Sequence, residues 1–291
     1  MAPKFVLITG CSNGGLGSAL ALAFATHPSA SATFHIFATA RSLSKMSDLA
    51  DQPNITLLQL DVTSPESISA AAATVSVATG GKLDYLVNNA GTNRYMPILD
   101  EDLDIARSVF ETNVWGAVAV LQGFRDLVIR AKGTVVSVTS VGGHCNVPYM
   151  GVYSASKRSL EIITETLRLE LAPFGVRVVS LVTGAVDSLG KTHCDGLTLP
   201  EDSLYKSIEA DIIQRAAWND GVPRESTTKW AKNVAAQIVG GASGLLWAGG
   251  SGGTMWLFEK LLPAWMFDKL MTMGQGLEKL GQKHSVLLKD K

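Results

Sequence analysis

Six short apolar runs recur along the chain: Lys4–Thr9, Phe34–Ala40, Ile55–Leu60, Leu83–Asn88, Thr134–Thr139 and Val176–Val182. None alternates cleanly with polar residues. A strand with one wet face alternates, whereas a strand covered on both faces reads as a continuous apolar run. Stretches of helical period separate many of them: Leu16–Phe24, a helix starting at Thr63-Ser64-Pro65-Glu66, roughly 101–131, and Tyr153–Ala172, which Pro173 and Gly175 stop. Parallel strands need such crossovers. The expected fold class is therefore α/β, a single doubly wound parallel sheet with helices on both faces.

After residue 183 the pattern changes. An amphipathic helix is expected at about 202–217 and another at Thr227–Val239. From Leu245 the chain is apolar and rich in Trp and Met, which reads as a C-terminal helical extension. No linker or repeat divides the chain. One domain over 1–291 is expected, with segments at about 190–220 and 245–291 covering a substrate.

Charge excludes some functions. With 25 basic and 26 acidic residues the net charge is −1, so there is no electrostatic case for a nucleic-acid partner. Cys11, Cys145 and Cys194 form no CxxC pair, and the five histidines show no ligand spacing, so no metal is expected. The cysteines read as reduced thiols of a cytoplasmic protein. The first apolar run turns into a glycine loop and reads as a strand, not a signal peptide. No uninterrupted apolar run reaches the ~18 residues of a membrane span.

The candidate chemistry lies after the fifth run. Ser140 ends it, Tyr153 follows thirteen residues later, and Lys157 lies four beyond that. Positions i and i+4 share a helix face, so Tyr153 and Lys157 point the same way. A free tyrosine titrates near ~10, too high for proton exchange at neutral pH. Lowering it by about 3 units takes roughly 4 kcal/mol, which one ammonium about 4 Å away supplies at an effective dielectric of about 20. Ser140 could then hydrogen-bond the reacting oxygen. Taken alone, the pair is more simply an ordinary helix surface.

The loop Thr9-Gly10-Cys11-Ser12-Asn13-Gly14-Gly15-Leu16-Gly17 joins the first strand to the first helix. Glycines there allow a sharp turn and close approach to a pyrophosphate, and the helix N-terminus attracts its charge. Gly10, Ser12, Asn13, Gly15, Leu16 and Gly17 are the candidate contacts; a plain tight turn is the competing reading. Arg41 ends the second run, where an acid would grip the ribose of NAD; an arginine suits a 2′-phosphate, hence NADP(H). A solvated arginine is the alternative. Asp61 and Val62 end the third run and are expected to meet adenine, with an N-cap role for Asp61 competing.

Together these motifs resemble the short-chain dehydrogenase/reductase superfamily over residues 4–190. They are the Thr9–Gly17 loop, Asp61, Asn88-Asn89-Ala90-Gly91, Asn113, Ser140 and Tyr153-xxx-Lys157. The resemblance implies a Rossmann-type fold, Tyr153 as acid/base, Lys157 on the nicotinamide ribose and lowering the tyrosine's pKa, and Ser140 orienting the carbonyl or alcohol. It implies that Asn113 holds a water relaying protons from Lys157, alongside a simpler role in a helix kink. Asn89, Ala90 and Gly91 would line the cofactor, and Val186 and Ser188 would meet the carboxamide. Two departures stand out. Gly14-Gly15-Leu16-Gly17 carries one residue more than the common loop, and Thr183-Gly184 replaces Pro-Gly.

A narrower likeness is to fungal NADPH-dependent 1-acyldihydroxyacetone-phosphate reductase-like proteins. It rests on the Gly-Gly-Leu-Gly loop, Ala38-Thr39-Ala40-Arg41, Leu199–Tyr205 and the Trp-rich tail.

The expected activity is NADPH-dependent reduction of a ketone on a bulky lipophilic substrate, lipid-like or a secondary metabolite, with Tyr153 as proton donor. The alternatives are the same chemistry run as an alcohol dehydrogenase, and a cofactor-binding biosynthetic enzyme or scaffold without hydride transfer. Arg94, Tyr95, His144, Cys145, Tyr149 and Met150 are expected beside the substrate, His144 either hydrogen-bonding it or having no catalytic task. The tail reads equally as core or as an apolar cover, whose outer side could rest on a membrane or lipid surface. A homodimer through the helices at about 101–131 and 153–172 is expected.

Overall fold

The six expected strands lie side by side in a computed structural model that describes residues 3–28 and 32–280. They are β1 (Lys4–Ile8), β2 (Phe34–Ala40), β3 (Ile55–Gln59), β4 (Tyr85–Asn88), β5 (Thr134–Ser140) and β6 (Arg177–Thr183). A later strand, β9 (Gly244–Ala248), adds to the β6 edge, and the order is β3-β2-β1-β4-β5-β6-β9 with every pairing parallel. Two-residue strands β7 (Val186–Asp187) and β8 (Glu225–Ser226) pair separately.

The helices are α1 (Leu16–Ala25), α2 (Pro65–Thr79), α3 (Leu103–Phe110), α4 (Gly116–Ala131), α5 (Gly151–Leu171), α6 (Glu209–Ala216), α7 (Thr227–Val239), α8 (Gly252–Leu261) and α9 (Ala264–Thr272). Alternate strand residues feed the two faces. Val6, Ile8, Ile36 and Ala38 pack with Leu20, Phe24, Trp230 and Val234 of α1 and α7. Leu7, Phe37 and Val135 pack with Ile68, Val75, Val120 and Phe124 of α2 and α4. Both faces are dry, which is why the runs are continuous. Each such Val, Leu, Ile or Phe side chain stabilises the fold by roughly 1.5–3 kcal/mol.

The expected start of α2 holds. Ser64 caps it, accepting from the Ser67 N–H at 3.2 Å, with Pro65 in the first turn. Asp61 is not the cap: its carboxylate accepts from the Thr63 N–H at 2.9 Å and the Thr63 hydroxyl at 2.8 Å. The long helix expected near 101–131 is broken by a π-turn at Glu111–Trp115.

Two expectations need correction. The helix at 202–217 shortens to α6, because Ser203 hydrogen-bonds Asp100 and the Tyr205 N–H and holds 203–205 in a turn. The tail from Leu245 is not wholly a cover, since Leu245 to Ala248 belong to β9, the edge strand of the sheet. Among the described residues, α8, α9 and the segment to residue 280 form the extension; the last eleven residues of the expected covering segment lie outside the described residues.

Candidate active site

Strand order reverses between β1 and β4, and the crevice at that switch point is where an open α/β sheet binds its ligands. The glycine loop leaves β1 there and Asn89-Ala90-Gly91 leaves β4. Side chains lock the two together. Thr9 Oγ1 accepts from the N–H groups of Asn89 at 3.0 Å and Ala90 at 2.9 Å. Asn89 Nδ2 donates back to the carbonyls of Thr9 at 2.8 Å and Gly10 at 3.1 Å. Asn89 therefore braces the crevice with its side chain. Thr9, which sequence reasoning passed over as a strand end, is its partner.

The loop has the form a pyrophosphate site needs. Gly10 has φ +74°, and a Cβ on Gly17 would fall 2.5 Å from Asn89 Nδ2 and from the Gly10 carbonyl oxygen. Gly15 precedes α1 with no side-chain cap and no acid in the first turn, so the helix's first N–H groups face an anion unopposed. Asn13 is turned elsewhere: its amide donates to Ser47 Oγ at 2.7 Å and accepts from the Asp48 N–H at 3.1 Å. Arg41 is exposed just beyond β2, and its charge helps hold the Asp61 carboxyl below the usual range, after the Thr63 hydrogen bonds. Val62 is buried in the α2–α4 face of the core. Uncapped helix, crowded glycines and Arg41 fit a dinucleotide carrying an extra phosphate.

Ser140, Tyr153, Lys157 and Asn113 converge on the other side of this crevice. The β5 register delivers Ser140 at the strand's end, where its Oγ accepts from the Gly142 N–H at 3.1 Å. Burial raises the Tyr153 phenol above its ordinary value, and a hydrogen bond with the Ser140 hydroxyl pulls it part of the way back. Lys157 Nζ donates to the Val138 carbonyl at 2.9 Å and lies 6.0 Å from the centre of the Tyr153 ring. Burial pushes Lys157 down to about 8.

Asn113 sits in the π-turn, fully buried. Its Oδ1 accepts from the Thr92 N–H at 2.8 Å, and its Nδ2 donates to the Thr92 carbonyl at 3.0 Å and to Ser156 Oγ at 2.9 Å. Ser156 in turn donates to the Tyr153 carbonyl at 2.7 Å. A Cβ on Gly91 would lie 3.1 Å from Asn113 Oδ1 and 3.3 Å from Lys157 Nζ, so these three meet at one point. Ser156 was legible as a hydroxyl inside the Tyr-xxx-Lys turn, a position where serine back-bonds to its own helix.

Val186 is buried in β7, and Ser188 Oγ caps the turn at Leu189–Cys194, accepting from the Gly190 N–H at 3.3 Å. That turn spans the crevice mouth. Leu189 packs beside Gly14, and His193 Nδ1 accepts from the Asn93 N–H at 3.0 Å.

The expected substrate neighbours divide. Arg94 pairs with Glu101 at 2.7 Å. Tyr95 and Tyr149 join Met96, Leu199, Ile208 and Ile212 in a third apolar cluster, with Met150 packed against it. His144 is buried between Glu161 and Glu259.

Residues 4–194 match the short chain dehydrogenase family model. The chain is 44% identical over 245 residues to the short-chain dehydrogenase ptmH of Penicillium ochrochloron, covering 84% of this chain and 88% of that one. It is 40% identical over 217 residues to the NADPH-dependent 1-acyldihydroxyacetone phosphate reductase of Schizosaccharomyces pombe, covering 73% and 71%. In fold it matches a Burkholderia cenocepacia short chain dehydrogenase solved in complex with NADP, with TM-score 0.72, 23% identity, and 92% and 97% of the two chains covered. The chain belongs to the short-chain dehydrogenase family and is an oxidoreductase of that family.

Proposed function

We propose that this enzyme is an NADPH-dependent reductase of a ketone borne on a bulky lipophilic substrate. The observation that carries the reading is the convergence of Tyr153, Ser140 and Lys157 on the crevice that the glycine loop opens. Bound NADPH supplies the hydride. Arg41 holds the 2′-phosphate, and the N-terminus of α1 holds the pyrophosphate. Ser140 donates a hydrogen bond to the substrate oxygen, and Tyr153 protonates it as charge develops there. Lys157 retains two N–H donors beyond the one on Val138, enough for a ribose diol. Asn113 holds the π-turn and the Thr92 backbone beside Lys157, which positions the path by which a proton returns from solvent.

Two relatives support the cofactor choice through what they are named for, one NADPH-dependent and one solved with NADP. The narrower reductase likeness gains less support. The Penicillium relative, named only as a short-chain dehydrogenase, is more identical than the S. pombe reductase, so no acyldihydroxyacetone phosphate substrate is carried over. A lipophilic substrate is retained because the segments after β4, before α5 and at 199–216 pack on one another through apolar and aromatic side chains, Tyr95, Tyr149, Leu199 and Ile212 among them. The whole chain is read as one domain, with 190–220 and the tail beyond β9 over the substrate. The test is purified protein, NADPH and a homologous series of methyl ketones, followed at 340 nm. NADPH consumption that rises with chain length supports the reading; no consumption with any ketone removes it.

Two surfaces suggest partners. Ile162 and Leu169 on α5 and Trp115 beside α4 are exposed, which suits a homodimer through these helices. Sedimentation as a monomer at micromolar concentration would exclude it. On α8 and α9 the acids are turned inward, Glu259 to His144 and Asp268 to Asn146, while Lys260 and Lys269 face out among exposed Trp256, Leu261, Trp265 and Leu270. Cations and apolar groups on one face suit an anionic lipid surface. No described helix is long and apolar enough to cross a membrane.

A further inference from the structure

The tail runs along the loop that joins Ser140 to Tyr153. Glu259 meets His144, Asp268 meets Asn146, and the Gln275 carbonyl accepts from the Tyr149 hydroxyl at 2.9 Å. At the first of these contacts the His144 side chain is only 4% exposed. Its Nε2 lies 2.6 Å from Glu161 Oε2 on α5, and its Nδ1 lies 3.0 Å from Glu259 Oε1 on α8. Arg158 of α5 donates to Glu161 Oε1 at 2.6 Å and reaches within 3.3 Å of His144 Nδ1. Trp247 of β9 covers the imidazole, with ring centres 4.6 Å apart. The neighbouring Cys145 thiol is neutral, pushed up to about 12 by burial and by Glu259.

The chemistry follows from proton count. A neutral imidazole has one N–H and can donate to only one carboxylate; an imidazolium donates to both. Two cations, His144 and Arg158, then face two anions, Glu161 and Glu259. Glu161 keeps Arg158 in any state, whereas among the described residues Glu259 has only the histidine. Three parts of the active site are tied by this clamp. His144 closes the turn whose first hydrogen bond is made by Ser140 Oγ. Glu161 lies one turn beyond Lys157 on the same helix. Glu259 belongs to the tail.

We propose that Glu259 is a positioning residue for the reaction: through His144 it holds the 141–149 loop against α5 and keeps the Ser140 hydroxyl in register with Tyr153. This rests on the reading of Ser140 and Tyr153 as the reacting groups. The tail is then part of the catalytic scaffold as well as its cover. Burial alone would lower His144, but the hydrogen bonds to Glu161 and Glu259 outweigh it and hold the imidazolium above its ordinary value. A histidine raised in this way holds the clamp fully below about pH 6.5 and releases it as pH climbs through the raised value.

The experiment compares wild type, Glu259→Gln and Glu259→Ala, each as full chain. NMR of the His144 imidazole, assigned by its loss in His144→Gln, should show a midpoint above about 6.5 in wild type and a lower one in Glu259→Gln. Amide exchange over 141–149 should speed about fivefold in Glu259→Ala, and in wild type above the midpoint after correction for intrinsic rate, with β1–β4 unchanged. Turnover of NADPH with 2-undecanone should fall roughly tenfold in kcat in Glu259→Ala, with KM for NADPH kept. An ordinary, mutation-insensitive midpoint overturns the proposal, as does unchanged exchange in the loop or acceleration spread through the whole sheet. Turnover retained in Tyr153→Phe would sink the functional reading while leaving the imidazole and exchange results to stand or fall separately.

Discussion

Lys157 donates to the Val138 carbonyl from a site that pushes its ammonium down to about 8. The helix that presents Tyr153 is thereby pinned to the strand that presents Ser140. The arrangement opposes stability. Against an unfolded value of about 10.4, the depressed value means that the folded chain binds fewer protons between about pH 8 and 10.5, so stability rises with pH across that window. At neutral pH the buried charge destabilises the cofactor-free enzyme by an amount on the order of 3 kcal/mol. Lys157→Met should therefore raise the melting temperature at pH 7 by several degrees and flatten the rise toward pH 10, while turnover is lost. Calorimetry across pH checks both; an unchanged or lower melting temperature would contradict the account.

Tyr153→Phe keeps the ring that packs beside Gly142 and removes the proton. Turnover should drop by a factor on the order of 10²–10⁴, with NADPH affinity within about twofold of wild type. Fluorescence titration with NADPH separates the two effects. Loss of binding in parallel with activity would show that the hydroxyl serves structure instead.

Arg41→Asp tests cofactor choice. The side chain is exposed and its carbonyl is held by Gln59 Nε2 at 3.1 Å, so the substitution leaves β2 in place. The new carboxylate should repel a 2′-phosphate and weaken NADPH at least about tenfold, with NADH gaining relatively. Raising salt should shrink the difference. Equal affinities of the native enzyme for NADH and NADPH would count against the NADPH assignment.

Flotation with vesicles of phosphatidylcholine containing about 30% phosphatidylserine tests the outer face of α8 and α9. Wild type should float in part and Lys260→Glu with Lys269→Glu should not. Protein that stays at the bottom of the gradient in both cases leaves this face without a lipid role.

Much of the crevice could be read in the sequence because its parts are local. Ser140 ends a strand, Tyr153 and Lys157 are one helical turn apart, and the glycines follow β1 directly. What escaped depends on distant partners. His144 looked like a loop histidine until Glu259, 115 residues on, was placed against it. Asn13 looked like a phosphate contact, but its amide is taken by Ser47 and Asp48. Strand β9 was hidden by composition: Trp and Met drew the eye to a helical tail. The glycines at 240, 241, 249 and 250 bracket the five-residue strand that Gly244 opens, and were the usable signal.

Strand β9 also sets the order in which the molecule can be completed. Val179 pairs with Gly244 and Thr183 with Ala248, so the edge of β6 stays open until the ribosome has delivered residue 248 and enough chain beyond it. Until then an apolar strand with unmet backbone groups faces the cell, the kind of edge that recruits neighbouring chains. Nascent or truncated chains that end near residue 240 are expected to enter the insoluble fraction, whereas chains ending at Gly250 remain dispersed. Pelleting of the two products of cell-free synthesis distinguishes them. Late mutations in this protein would then be felt first as lost yield, before any change in what the crevice can do.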